Sequence, residues 1–269
     1  MMENLFFYLA LFKWGLLAGL SYALASSLTA PYLLLQRNAL FPHALTHLLL
    51  LALLSLSILS HYIPNTLHFL FLLFMTLLLT GLIYLLVQEL NLYEDTATSL
   101  ITHLSLGLAL LLASLSSQYD ATLLNYLFGS LITVEKKEAF EGLLVLIITL
   151  FTFWRQRELW LTSGIDREVP GLNLRKGQLL LLLMITLQVI VGVKLMGALL
   201  VSSFFVFSPT LALKIAPSFT PVVPLTALFN VAALISGFLL SMRLDIPFSA
   251  SAIIFMGLYL VILFIARKK

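Results

Sequence analysis

Cysteine is absent from the 269 residues, and charged side chains are scarce. Without a thiol the chain has no disulfide, thiolate metal site or iron–sulfur cluster. Charged residues make up 10% of the sequence and hydrophobic residues 61%, whereas an ordinary soluble domain carries about 25% charge. Such a chain cannot build a surface that faces water. The composition therefore excludes a soluble enzyme, a disordered regulator and a nucleic-acid-binding protein, and it predicts an integral membrane protein.

Long apolar runs set the number of membrane-crossing helices. About 20 mostly apolar residues cross the roughly 30 Å hydrocarbon core of a bilayer. The predicted spans are 8–35, 44–62, 66–88, 98–116, 139–154, 177–193, 195–213, 222–241 and 249–266. Only Gly192-Val193-Lys194 separates the sixth span from the seventh, so the sequence is compatible with eight spans and with nine. A shorter helix from Ala121 to Val134 is predicted not to span.

Basic residues are concentrated in residues 155–176 and at Arg267-Lys268-Lys269. Because Lys and Arg accumulate in cytoplasmic loops, both segments are expected on the cytoplasmic side. The stretch from Arg157 to Arg175 is the one long polar loop of the sequence, either a solvated connector or a short cytoplasmic helix that docks a partner. The chain lacks the G-x-x-x-x-G-K-[ST] phosphate loop, so it does not hydrolyse ATP by that route.

The most informative polar residues inside the apolar runs are His43 and His47. Their i, i+4 spacing places both imidazoles on one helix face, and Pro42 favours a helix that begins there. Two neutral imidazoles form a pair of ligands suited to Zn²⁺. The alternative is two separate imidazoles bonded to carbonyls or hydroxyls. Desolvating two titratable groups without a use is costly in a membrane span, and this cost favours the metal site.

Three further histidines are weaker candidates. His103 lies in the first turns of the fourth span and is either a third ligand or a packing residue. His61 and His68 flank Pro64 in a short loop, where they either help the metal to enter or are simply solvated.

Five stretches, taken in order, carry a recognisable pattern. They are Leu35 to His47, similar to a basic turn followed by G-D-A-[LIV]-[SA]-H; Glu94 to Thr98, similar to E-D-A-A; Leu127 to Val134, similar to L-F-G-D-I-L-x-V; Val191 to Val201, similar to V-G-x-L-L-V-x-A-L-L; and Asp245-Ile246-Pro247, similar to D-[LI]-P. Together they resemble the permease subunit of the zinc/manganese-type ABC importers of bacteria.

This resemblance implies an all-α permease that forms a single transmembrane domain over residues 1–269. The expected architecture is a polytopic bundle of eight or nine helices, similar to the vitamin B12 and siderophore importer permeases, in the bacterial cytoplasmic membrane. It implies a homodimer around a metal path, two cytoplasmic ABC ATPase subunits and an extracytoplasmic metal-binding protein. The chain would then be a transport subunit rather than an enzyme, with no permanently bound cofactor. The ATPase would grip the segment 155–176 around Ser163, Asp166 and Gly171.

One departure from the family pattern bears on the cargo. The Asp of the D-x-x-x-H pair is His43 here, so a carboxylate–imidazole pair becomes a bis-imidazole pair. Imidazole suits Zn²⁺ better than Mn²⁺, which prefers oxygen, so zinc is expected first, then manganese or iron. One alternative is a permease for an iron–siderophore or corrinoid chelate. The other is an ATP-independent secondary transporter, which would need a membrane-buried acidic residue, and none of the 12 acidic residues falls in the middle of a predicted span.

Overall fold

The chain is described by a computed structural model, in which the described residues are 12–114, 124, 126–129, 131, 134–166, 172 and 174–267. These residues form long α-helices joined by short connections. The helices are α1 Lys13–Leu35, α2 Phe41–Leu59, α3 His68–Glu89, α4 Glu94–Ser114, α5 Lys136–Ile165, α6 Leu174–Met196, α7 Ala198–Ile215, α8 Val222–Leu244 and α9 Phe248–Arg267, with a 3₁₀ turn at Asn65–Leu67 before α3.

Eight helices of the described residues are long and apolar enough to cross a membrane. The prediction of an all-α, multi-pass membrane protein is confirmed. The remaining helix, α5, is the longest at 30 residues. Its uncharged stretch, residues 142–154, is about 20 Å long at the rise of an α-helix. Glu141 precedes this stretch and Arg155 follows it, so α5 has a short apolar middle between two polar ends.

Two predicted boundaries were wrong. The break between the sixth and seventh helices lies at Gly197, not at Gly192-Val193-Lys194, which belong to α6. Gly197 has φ 83°, a conformation that glycine adopts readily and that ends a helix. In addition, residues 155–165 do not form a separate helix but continue α5. The sequence has no proline there and no glycine before Gly164, so nothing interrupts the helix as it becomes polar.

Half of the predicted short helix from Ala121 to Val134 falls outside the described residues. Within the described part, Leu124 and residues 126–128 are helical. Residues 127–129 then pass against the break between α6 and α7.

Helix α1 lies at the centre of the bundle, where it packs against α5, α6, α7 and α8. In its apolar window 78% of the residues are buried, against 11% in that of α3, so α3 lies at the periphery. The buried positions of α1 are mostly small, including Ala18, Gly19, Ala23 and Ser26. Small side chains let neighbouring helices approach closely, and close packing is a main attraction between helices in lipid.

A buried glutamine ties three of these helices together. The Gln188 amide in α6 donates to the Thr149 hydroxyl in α5 at 3.0 Å and to the Ala25 carbonyl in α1 at 3.3 Å, and its oxygen accepts from the Thr29 hydroxyl at 2.9 Å. Gln188 is completely buried. Because the buried amide is bonded on both sides, this network stabilises one packing of α1, α5 and α6.

Candidate metal site and coupling segment

The two histidines of the H-x-x-x-H motif lie side by side near the start of α2. Helix α2 begins at Phe41 with Pro42 in its first turn, and proline fits there because that position needs no N–H bond. The Nε2 atoms of His43 and His47 are 3.3 Å apart. Their rings meet edge to face, with centroids 4.7 Å apart. The predicted pairing of the two imidazoles on one helix face is therefore present in the structure.

This spacing fits two kinds of chemistry. Without a metal, one ring donates its N–H to the other ring's lone pair, and the tautomers set the direction. With zinc, two nitrogens at about 2.0–2.1 Å from the ion and a tetrahedral angle lie about 3.3–3.4 Å apart. The distance of 3.3 Å between the Nε2 atoms of His43 and His47 thus equals the spacing that a tetrahedral zinc requires of two imidazole ligands.

Of the remaining histidines, the structure brings His103 to this pair. His103 lies in α4, which packs along the helix α2 that carries His43 and His47. Even so, within the described residues no group of three or more His, Asp or Glu side chains is placed to hold a metal ion. Among the described residues, the structure therefore brings two imidazoles together and places no third such side chain with them.

His61 and His68 lie far from the pair. Both follow the end of α2 at Leu59, and the 14 residues from His47 to His61 correspond to about 20 Å along a helix. His61 stacks edge to face on Tyr62, with ring centroids 5.6 Å apart, and the His68 Nε2 lies 3.2 Å from the Ile63 carbonyl oxygen. A direct role beside His43 and His47 is incompatible with this placement.

His68 does line a cavity of about 640 Å³ between α2, α3, α5 and α6. Leu50 and Leu54 line it too, and they follow His43 and His47 by seven residues each, which places them on the same face of α2. Glu141 and Lys194 are further lining residues. The cavity therefore extends along the helix face that carries the two histidines.

The three predicted coupling residues differ in exposure, and one of them is not described by the structure. Ser163 is buried, with 8% of its surface exposed, and its hydroxyl contacts the chain's own interior. Asp166 is exposed and follows the last residue of α5. Gly171 lies outside the described residues. A partner docking on this segment would reach Asp166 directly but not the Ser163 hydroxyl.

A family model decides the relationship to known proteins. The model of the ABC 3 transport family matches residues 9–267. The chain belongs to this family. The resemblance to the permeases of metal ABC importers is thereby confirmed over almost the whole chain.

Two relatives agree with this chain in length, and one solved structure agrees with it in fold. The zinc uptake membrane protein ZnuB of Buchnera aphidicola from Acyrthosiphon pisum is 29% identical over 250 residues, 89% of this chain and 91% of that protein. ZnuB of Haemophilus influenzae is 23% identical over 258 residues, 95% and 97% of the two chains. The structure of PsaBC from Streptococcus pneumoniae in complex with Fab superposes with a TM-score of 0.84 at 18% identity, covering 97% of this chain and 95% of that one. The fold is that of a transport permease.

The contacts of three residues in these regions were not predicted from the sequence. Gln36 reaches α5 from the end of α1, Tyr126 donates its hydroxyl proton to the Thr46 carbonyl, and Lys194 pairs with Glu138 at 3.2 Å. Gln36 sits in a polar turn in sequence, so nothing marks it as buried. Lys194 was noticed in its apolar run, but its acidic partners are more than 50 residues away in the sequence.

Proposed function

We propose that this chain is the membrane-spanning permease of an ATP-driven importer of a divalent transition metal ion, with zinc as the first candidate and manganese or iron next. The family match over residues 9–267 supports the permease assignment. The names of the related zinc uptake proteins support zinc. The metal passes through the membrane as cargo, and His43 and His47 bind it on the way.

The observation that carries this metal site is the 3.3 Å between the Nε2 atoms of His43 and His47. The His43 side chain is exposed on the surface of the single chain, and the His47 side chain is half-buried. Because the pair is accessible, water or the same two histidines of a second copy can complete the coordination of the ion. A homodimer would provide that second pair. Two neutral imidazoles bring no negative charge, so the ion is held without the Coulombic attraction that a carboxylate would add. A transport site needs such weak and brief binding.

The cavity of about 640 Å³ supports a route that leads to this site. It lies on the same face of α2, where its lining begins at Leu50, about one turn beyond His47, and continues to Leu54. His68 at its wall is in a position to meet an ion that enters from that end. Thus His68 keeps a role in the passage of the metal, while His43 and His47 form the inner site.

The partners follow from the type of transporter. Cytoplasmic ABC ATPases bind and hydrolyse ATP, since this chain carries no phosphate loop of its own, and an extracytoplasmic protein delivers the metal. The ATPases dock at the connection between α5 and α6, where Asp166 is exposed. The assembly lies in the cytoplasmic membrane of a bacterium.

Uptake of radiolabelled Zn²⁺ and Mn²⁺ tests this function. The chain is expressed with its ATPase and binding protein in cells that lack their own high-affinity zinc uptake. We expect zinc uptake that stops when the phosphate-loop Lys of the ATPase is replaced. Zinc uptake that continues with the disabled ATPase would identify a secondary transporter instead. Uptake of an iron–siderophore complex or a corrinoid without uptake of free metal ions would identify a chelate importer.

A further inference from the structure

The hydroxyl of Ser163 faces inward, and its partner is the glutamine at the end of α1. The Gln36 amide nitrogen donates to the Ser163 hydroxyl oxygen at 2.8 Å and lies 3.5 Å from the Trp160 carbonyl oxygen. The Ser163 hydroxyl in turn donates to the Trp160 carbonyl at 3.0 Å. Gln36 is 4% exposed and Trp160 is not exposed at all. We call these three residues, Gln36, Trp160 and Ser163, the α1–α5 joint.

The α1–α5 joint also includes the beginning of α6 among its contacts. The Trp160 indole N–H donates to the Gly177 carbonyl at 3.0 Å. The Trp160 ring packs edge to face on Tyr32 of α1, with centroids 5.7 Å apart. At Gly164 a Cβ would lie 2.6 Å from the Leu35 side chain, so α5 and α1 touch there. The end of α5 and the start of α6 are therefore fixed to the last turn of α1.

A short, rigid turn leads from the joint to the two histidines. The Arg37 N–H donates to the Leu34 carbonyl at 3.0 Å, and the Asn38 N–H donates to the Leu33 carbonyl at 3.1 Å. The Phe41 N–H donates to the Asn38 carbonyl at 3.1 Å, and helix α2 starts there. His43 follows Gln36 by only seven residues. A displacement of the α5 end thus reaches the start of α2 through a turn that three backbone hydrogen bonds hold in place.

We propose that Gln36 is a positioning residue for transport: through its hydrogen bond to Ser163 it passes the movement of the α5–α6 connection to the helix that carries His43 and His47. This inference rests on the proposed function, because it needs an ATPase acting on that connection. Gln36 touches no metal. It acts by keeping the end of α5 and the start of α2 moving as one body.

The test separates ATP hydrolysis from metal uptake in the assembled complex in proteoliposomes. We expect Gln36→Ala and Ser163→Ala to hydrolyse ATP at near the wild-type rate but to import about tenfold less Zn²⁺ per ATP, since coupling energies between sites are typically 5- to 150-fold. The double variant should lose no more than either single variant, because both remove the same hydrogen bond. Ser163→Thr keeps the hydroxyl and should retain the wild-type ratio of zinc to ATP.

Gln188→Ala is the matched control. Gln188 is an equally buried glutamine that bonds α1, α5 and α6 to one another, but it lies away from the joint. Its loss should reduce the amount of assembled complex and leave the ratio of zinc to ATP unchanged. The proposal is overturned if Gln36→Ala and Ser163→Ala keep the wild-type ratio, or if Gln188→Ala lowers it as much. Absence of zinc uptake in the wild type would instead overturn the proposed function itself.

Discussion

Gly129 and Gly197 meet backbone against backbone. A Cβ on Gly197 would lie 2.5 Å from the Gly129 nitrogen, closer than any side chain can approach. Both residues also have positive φ, 62° for Gly129 and 83° for Gly197, which is costly for any residue with a Cβ. The contact joins the L-F-G segment to the break between α6 and α7, so both positions need glycine for two independent reasons.

Gly197→Ala should therefore destabilise the protein by at least about 2 kcal/mol. Positive φ and overpacking each cost about 1–3 kcal/mol for a residue with a Cβ. Thermal unfolding of the purified protein in detergent, followed by loss of the monodisperse peak, should show a clearly lower midpoint.

Gly81→Ala is the control for this change. Gly81 lies in α3 with nothing within 4 Å of an added Cβ, and alanine is favoured over glycine in a helix by about 0.5–1 kcal/mol. Its midpoint should equal or slightly exceed that of the wild type. Equal midpoints for Gly197→Ala and the wild type would show that the break relaxes without cost.

Replacement of both paired histidines should abolish zinc transport. His43→Ala/His47→Ala removes both nitrogens of the 3.3 Å pair. We expect zinc uptake to fall by more than about tenfold, because loss even of groups that only orient metal ligands costs 10- to 100-fold. Labelled uptake is compared at equal amounts of assembled complex and equal ATPase activity.

His61→Ala/His68→Ala is the matched double variant, with two histidines about 20 Å away along the chain. His68 is proposed to meet the ion only as it enters the cavity, so its loss should weaken uptake at low zinc, while uptake at saturating zinc should stay within about twofold of the wild type. Equal losses in the two double variants would argue against an inner site at His43 and His47.

His43→Asp should change the preference among metals. It restores the D-x-x-x-H pair of the resembled importers and replaces one nitrogen ligand by oxygen. Because carboxylate oxygen suits Mn²⁺ better than imidazole does, the ratio of manganese to zinc uptake should rise. Uptake of each labelled ion in competition with the other measures this ratio. An unchanged ratio would mean that residue 43 does not touch the ion.

The fold was largely predictable from the sequence because lipid imposes a simple rule on it. An apolar run of sufficient length must be a helix, since a backbone in hydrocarbon has to satisfy its own hydrogen bonds. The same rule says little about where a helix ends once it leaves the apolar region. Helix α5 therefore continues to Ile165, past the predicted end at 154. The break at Gly197 depends on a left-handed residue facing a distant glycine.

The candidate site, too, was predictable from the sequence only where its contacts are local. The spacing of His43 and His47 is local, so the sequence predicted their contact. The resemblance implied a coupling role for Ser163, yet the burial of Ser163 against Gln36, 127 residues away in the sequence, depends on how α1 and α5 pack. Lys194 shows the same limit, since its partners Glu138 and Glu141 come from the preceding helix. Tertiary packing supplies such contacts, and periodicity does not reveal them.

The ion pair of Lys194 should matter less for stability than the neutral network of Gln188. The Lys194 ammonium lies 3.2 Å from Glu138 and 3.4 Å from Glu141, but its side chain is 53% exposed, and exposed pairs contribute less than about 1 kcal/mol. Gln188→Ala leaves the buried Thr149 hydroxyl without its Gln188 partner, which costs about 1–3 kcal/mol, whereas the Thr29 hydroxyl keeps its bond to the Ser26 carbonyl. Thermal unfolding in detergent should therefore show a larger drop for Gln188→Ala than for Lys194→Met. The reverse order would mean that the Lys194 pair is shielded from solvent in the assembled transporter, where exposed pairs of the single chain become buried.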